Sequence, residues 1–359
     1  YASAYYDPTK NDATYYVGRQ VGFAGLGLVA MYVVSTLNYQ WFRALSLPAV
    51  VVSVILLLLV LVMGYGDSQV GAQRWIEIGP ISFQPSEIAK VAVILYFATR
   101  LSKRDSEPMR RFSKRSGVGR TLNVMEKIGF LELLPYGLVL LAVLIPVLLQ
   151  PHMSGTILIL VGAAAVLFAA GVHLGWFIFG GGAVVTLLWA VINLTNYQSA
   201  RITIWKDPWS DPTDGGFQII QSLYAIGSGG LLGLGLGQSR QKYLYVPEPE
   251  NDFIFPIAVE ELGFIGGALI IILFMLLILR GYWLALHARD RFGALTIVGI
   301  ITLLAAQVFL NIGVVTNTIP TTGISLPFFS YGGTALIIQL VQMGIILSIS
   351  RQIPASKQD

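Results

Sequence analysis

The sequence predicts an all-α polytopic membrane protein, and three observations predict it. Hydrophobic residues fill 55% of 359 positions, charged residues only 12%, and the mean hydropathy is +0.70. A soluble domain carries about 25% charged residues. The apolar residues gather into nine segments long enough to cross about 30 Å of hydrocarbon at about 1.5 Å per residue. The charges gather in the connections between them, with one long connection over 195–252. Residues 1–359 therefore read as a single integral membrane domain containing a large extracytoplasmic loop. With no cysteine in the chain, disulfides, thiolate nucleophiles and thiolate metal sites are excluded together. The net charge of +4 says little by itself, and nucleic acid is not an expected partner.

In chain order, the spans are expected near 17–37, 45–64, 86–101, 130–150, 154–172, 175–194, 253–279, 293–316 and 332–350. The chain opens on a polar stretch, Tyr1 to Tyr16, without an initiating Met. A further spanning helix is expected upstream, giving ten. Lys and Arg set the orientation. Eight of them lie in the connection Ser102–Gly129 against three acids, and Arg280, Arg289, Arg291, Arg351 and Lys357 follow later. Alternating spans put these groups on one side with Arg43, which should be the cytoplasm. The opposite, extracytoplasmic face receives 1–16, 65–85, the turn Gln150–Met153, 195–252 and 317–331. Its loops are rich in Trp, Pro and Gly, and loops of this kind commonly carry function.

In GAQRWIEIGPISFQPSEIAK, Gly71 to Lys90, Pro85 suits a first helical position, with Gln84 as cap and Glu87 at the third. Lys90 shares the helix face of Glu87. A capped helix with a local ion pair explains this. A sharper reading adds Arg74, so that two cations and a carboxylate meet an anionic headgroup at the membrane surface. In QPHMSGT, Gln150 to Thr156, His152 is either a proton carrier or a hydrogen-bonded turn residue. The more ordinary turn role is favoured, and no second His lies nearby to build a metal site.

The loop 195–252 begins with aromatics, prolines and acids, where Trp205 and Trp209 suit the headgroup level. FQIIQSLYAIGS then has helical periodicity and gives way to six glycines between Gly227 and Gly237. GLGLGQ lacks the preceding strand and following Lys-Ser/Thr of a nucleotide loop. A re-entrant or close-packed backbone is the better reading, tolerable at membrane depth only when buried in protein. Arg240 and Lys242 follow as a basic pair.

Next come Glu248, Glu250 and Asp252 at alternate positions, either a hard-cation site or a solvated edge. Pro247 and Pro249 hold the backbone extended, which favours aiming one carboxylate. Glu260 and Glu261 sit inside the following apolar run. A carboxylate costs about 2.5–3.5 kcal/mol at a helix centre, so such residues are functional candidates. Glu260 lies about 12 Å along a helix from Asp252 and better suits a structural role bridging helices. Finally Thr316 to Ile337, with Pro320, Pro327 and Gly332–Gly333, breaks two spans. It is either a broken-helix turn or a wall of the same outer cavity, with Ser330 as a supporting group.

Together these stretches resemble the SEDS family (shape, elongation, division and sporulation). The matching blocks are GAQRWIEIGPISFQPSEIAK, DPWSDPTDGGFQIIQS, GSGGLLGLGLGQS, PENDFIFPIAVEELGFIGG and IPTTGISLPFFSYGG. They run in family order over essentially the whole chain, and their wording is closer to the FtsW and SpoVE branch than to RodA. The resemblance implies a ten-helix membrane glycosyltransferase that polymerises lipid II. It also implies a cognate class B penicillin-binding protein as transpeptidase partner, beside other divisome or elongasome proteins. Asp252 matches the family's essential Asp, and Arg74, Glu87 and Lys90 match charged positions around its outer cavity. His152 stands where many members have Asp, so no role is carried over to it.

The chemistry expected is attack of an acceptor hydroxyl on an anomeric carbon, with Asp252 as general base. Arg74, Lys90, Arg201, Arg240 and Lys242 are candidates to stabilise the departing diphosphate, with a divalent cation, Mg or Mn, as a further candidate. A lipid II flippase is the competing class, because broken helices and intramembrane charges also suit transporters. A scaffold for division proteins is the third.

Overall fold

Each of the nine apolar segments forms a helix, with bounds that follow the hydrophobic runs closely. The computed structural model describes residues 15–67, 72–78, 81–104, 129–194, 196–213, 215–241 and 251–353. In order these hold α1 (Tyr15–Thr36), α2 (Gln40–Met63), α3 (Pro85–Leu101), α4 (Phe130–Leu149), α5 (Met153–Ala169), α6 (Leu174–Leu194), α7 (Asn196–Lys206), α8 (Phe217–Ser228), α9 (Ile254–Leu286), α10 (Arg291–Val315) and α11 (Gly333–Arg351). Six of them, α1, α2, α4, α9, α10 and α11, are long and apolar enough to cross a bilayer. Large apolar side chains stand outward along α2 and α9, among them Val62, Met63, Leu273 and Leu276. That is the pattern of helices whose solvent is hydrocarbon. The two helices between 195 and 252, α7 and α8, are too short to span.

Two details differ from expectation. Part of the connection 65–85 is a small antiparallel sheet, β1 (Tyr65–Asp67), β2 (Ala72–Ile78) and β3 (Ile81–Phe83), in the order β1-β2-β3. Ile76 is buried between exposed Gln73 and Glu77 and pairs with Phe83, which is how so short a sheet holds its register. Arg280 belongs to α9 rather than to the loop beyond it. Its guanidinium lies 4.1 Å from the ring centroid of Trp283, and this cation–π contact lets a charged residue remain in the helix.

The chain groups into two compact units. Unit one comprises Tyr1–Thr36, Val172–Leu284 and Ile301–Leu347, and unit two comprises Leu37–Gly171, Ala285–Ile300 and Ser348–Asp359. In unit two, α3 is buried on nearly all sides, from Pro85 to Leu101. Gly299 meets Ile94 of α3, leaving no room for a larger residue. Tyr39 and Gln40 donate hydrogen bonds to the carboxylate of Asp290 at 3.0 and 2.9 Å, and Ser348 donates to Leu37 O. Burial and the Asp290 carboxylate raise the Tyr39 hydroxyl above its ordinary pKa of 10.

In unit one a core of Ile219, Phe253, Phe255, Ile257, Val308, Val315 and Leu326 joins α8, α9, α10 and the chain after α10. Helix α9 is broken at Gly263, whose φ of 73° and ψ of −177° are not helical. The glycine-rich segment fills the break. Leu234 N and Gly235 N donate to Glu260 O and Glu261 O, while Phe264 N and Ile265 N donate to Gly230 O and Leu231 O. The close-packed backbone expected from the glycines is present: a Cβ on Gly233, at φ +81°, would strike Glu261 O. Gly233→Ala should therefore lower the thermal midpoint of the micelle-solubilised protein, with a loss of stability larger than the left-handed penalty of about 1–2 kcal/mol alone. Gly227→Ala, with open space around it, should leave the midpoint unchanged or raised.

Candidate functional site

The expected site residues fall in both units. Unit one holds Asp252, Arg201, Arg240, Glu260, Glu261 and Ser330; unit two holds Arg74, Glu87 and Lys90. Lys242, Glu248 and Glu250 lie outside the described residues.

Asp252 is half-buried in the turn that leads into α9. Its neighbourhood is fixed through backbone carbonyls. The carboxamide of Asn311, buried in α10, donates to Asp252 O and to Ile324 O, both at 2.7 Å. Ser330 Oγ donates to Asn251 O at 2.7 Å and accepts from Leu326 N. Gly323, at φ +66°, lies so near that a Cβ there would stand 3.3 Å from Asp252 Oδ2. The loop 317–330 thus passes beside the acid with a left-handed backbone at Gly323, which favours glycine, and a Cβ there would press on the carboxylate. The same loop is anchored from α7, where Arg201 donates to Thr321 O and Trp205 Nε1 to Asn317 O. Trp205 is therefore a tie within unit one, whereas Trp209 is the exposed indole of the pair.

Glu260 and Glu261 are buried and consumed by structure. Glu260 accepts from Ser239 Oγ, Arg240 N, Gln241 N and Ser228 Oγ, and Glu261 accepts from Ser239 N. A carboxylate is stable at that depth because backbone and hydroxyl donors replace its hydration. The structural role expected of Glu260 is present, although it ties the turn after the glycine segment to α9 rather than helix to helix.

In unit two Lys90 Nζ and Glu87 Oε1 form a buried ion pair at 2.7 Å on α3. Pro85 opens that helix as anticipated, but the Gln84 side chain makes no cap bond; its Nε2 lies 3.4 Å from His152 Nε2. Arg74 donates to Pro151 O at 2.6 Å, next to His152. Burial, then the positive charges of Arg74 and Lys90, push the His152 imidazole down to about 3, so it is neutral at physiological pH.

Sequence reasoning missed Asn311, Gly323 and Gln150, whose side chain donates to Leu57 O at 2.9 Å, and it gave Gln84 a capping bond that the side chain does not make. Asn311 carried a signal, a carboxamide inside an apolar run. Gly323 carried none, because its need for a positive φ appears only when the loop closes.

A family model described as a cell cycle protein, covering FtsW, RodA and SpoVE, matches residues 1–354. The chain belongs to this family. Stage V sporulation protein E of Bacillus subtilis (strain 168) is 43% identical over 342 residues, covering 95% of this chain and 88% of that protein. The probable peptidoglycan glycosyltransferase FtsW of Geobacter metallireducens is 42% identical over 343 residues, covering 95% and 86%. Among solved structures, a peptidoglycan synthase complex that coordinates polymerization and crosslinking contains a chain with TM-score 0.74 and 29% identity. The alignment covers 98% of this chain and 92% of that one. The rod shape determining protein RodA of Thermus thermophilus gives 0.66 at 29% identity, with 99% and 91% covered. A multi-pass membrane protein of the SEDS fold is the expectation these findings meet, with the FtsW and SpoVE wording reflected in the relatives.

Two outcomes follow for unit two. A base whose pKa is lower folded than unfolded destabilises as pH falls through the unfolded value near 6.5, because the unfolded chain then binds the extra proton. Denaturation midpoints should thus fall from pH 7 toward 5, with a slope from this group of at most about 1.4 kcal/mol per pH unit. His152→Gln should flatten that slope. Glu87→Ala should destabilise by about 3–5 kcal/mol, since it strands a buried ammonium, and Glu87→Gln with Lys90→Met should recover much of the loss.

Proposed function

We propose that this chain is a peptidoglycan glycosyltransferase that polymerises lipid II at the outer face of the cytoplasmic membrane, with Asp252 as general base. One observation supports the assignment of Asp252 above all. It is the acid at the mouth of α9 whose flanking carbonyls are clamped by Asn311 and Ser330 while its carboxylate faces Gly323. Glu260 and Glu261 are bound into the structure by buried donors, which suits them to a supporting role. The names of the relatives, probable peptidoglycan glycosyltransferases, favour this chemistry. The Lys and Arg distribution favours an extracytoplasmic site, since Asp252 lies across α9 from the basic connections.

In this mechanism the acceptor's 4-hydroxyl loses its proton to Asp252 as its oxygen attacks the anomeric carbon. The glycosidic bond forms with inversion as the bond to the polyprenyl diphosphate breaks. Preorganised positive groups stabilise the charge gathering on that diphosphate. Arg201 and Lys242, of the same unit as Asp252, are the proposed groups; Arg240 stands beside buried Glu260 and is a poorer match for an anion, and Lys90 is held in its buried ion pair with Glu87. A divalent cation, Mg or Mn, is a further proposed aid to that charge; no three His, Asp or Glu side chains converge into a cage among the described residues, and Glu248 and Glu250 lie outside them. The proposed partner is a class B penicillin-binding protein, supported by the likeness to a complex that joins polymerization to crosslinking.

Purified protein with its transpeptidase partner should make glycan strands from pure lipid II in detergent, where no sidedness exists for a transporter to use. Asp252→Ala should reduce product at least a hundredfold, the usual scale for losing a general base, with its thermal midpoint retained. Normal strands from that variant overturn the base assignment. Failure of the wild-type complex to polymerise, with lipid II transport in vesicles, favours the flippase.

A further inference from the structure

Unit one contains a cleft of about 400 Å³ away from the clamp around Asp252. Tyr224, Gly227 and Ser228 of α8 line it together with Arg240, Gln241 and Glu260. Glu260 lies eight residues beyond Asp252 along the chain, a rise of about 12 Å for helical backbone.

Three features specify what this cleft receives. Its charges cancel: Arg240 at the exposed rim supplies one positive charge and Glu260 beneath it one negative. Its wall holds an acceptor in need of a donor, because Gln241 Oε1 is buried with no hydrogen-bond partner among the described residues. The last dihedral of a carboxamide is soft, so this group can turn toward an occupant. Tyr224 of the wall packs edge to face at 5.9 Å against Trp209, which does not itself line the cleft, and the two rings are 50% and 55% exposed. An exposed aromatic face has negative charge above its plane and attracts polarised C–H groups.

A phosphate would set its oxygens against Glu260 and Gln241 Oε1, which are acceptors themselves. A sugar ring matches the polar and aromatic elements: hydroxyls donate to Gln241 Oε1, ring and amide oxygens accept from Arg240, and the C–H face lies on Tyr224, with Leu223 and Leu234 as apolar wall. We propose that this cleft binds a hexopyranose unit of the glycan substrate. The inference rests on the polymerase reading and adds to it a saccharide subsite separate from the reacting centre.

The test is direct binding to the full-length protein in detergent micelles. The probes are a soluble N-acetylhexosamine disaccharide and inorganic diphosphate. The disaccharide should quench indole fluorescence saturably, and Trp209→Phe should remove that signal. Gln241→Leu should weaken binding about tenfold with an unchanged thermal midpoint, and Gln241→Glu, which keeps an acceptor, should retain it. Wild-type affinity in Gln241→Leu overturns the subsite, as does saturation by diphosphate but not by the disaccharide. The two claims separate cleanly. Asp252→Ala should still bind the disaccharide, so normal polymer from that variant removes the base assignment and leaves the subsite. Disaccharide binding indifferent to Gln241 removes the subsite and leaves the polymerase.

Discussion

Hydrocarbon offers no hydrogen bonds, so a chain that leaves helical geometry near a membrane must find protein partners for each backbone group it frees. That constraint explains the region around Asp252. The residues before α9 and the loop 317–330 are both non-helical, and the Asn311 carboxamide joins them by donating to a carbonyl of each. Ser330 adds a second tie and Gln339 a third, accepting from Phe328 N at 2.9 Å. Phe328 holds an uncommon φ of +64° and stacks on Phe274 of α9. A reactive carboxylate needs a fixed direction more than it needs many contacts. Here the main chain on both sides of the acid is held, through Asp252 O and Asn251 O.

The buried acids of α9 show the opposite use of the same residue type. Glu260 gathers donors from Ser228, Ser239, Arg240 and Gln241, and Glu261 another from Ser239, so both carboxylates act as structural acceptors. Glu87 is neutralised differently, by Lys90 one helical turn away. Charge inside an apolar protein thus takes several forms here, as carboxylates met by neutral donors and as an ion pair within one helix.

Much of this was readable from residues alone. The apolar runs gave nine helices because bilayer thickness sets a length that few soluble patterns imitate. Pro85 marked the start of α3, and the spacing of Glu87 and Lys90 predicted their ion pair. The glycines between 227 and 237 announced tight backbone packing, which Gly233 against Glu261 provides. What stayed hidden depends on contacts distant in sequence. Asn311 and Asp252 are far apart in the chain, and nothing local says which carbonyls a buried carboxamide will reach. Arg201 read as a phosphate ligand, while its guanidinium is in part a loop anchor to Thr321. The strands of 65–85 were obscured by length, because seven alternating residues are as compatible with a loop as with an edge of sheet.

The interruption of α9 at Gly263 bears on biogenesis. As one continuous rod, the 33 residues from Ile254 to Leu286 would reach about 50 Å, well beyond the hydrocarbon thickness. Severed at Gly263, the element offers 264–286, about 35 Å, as the membrane-crossing portion, with 254–262 a separate cap. The four amide links to 230–235 stand in for the rungs lost at that cut. Because 230–235 precedes α9 in the chain and donates to and accepts from it across the break, the cap 254–262 can take its native position only once both pieces have met.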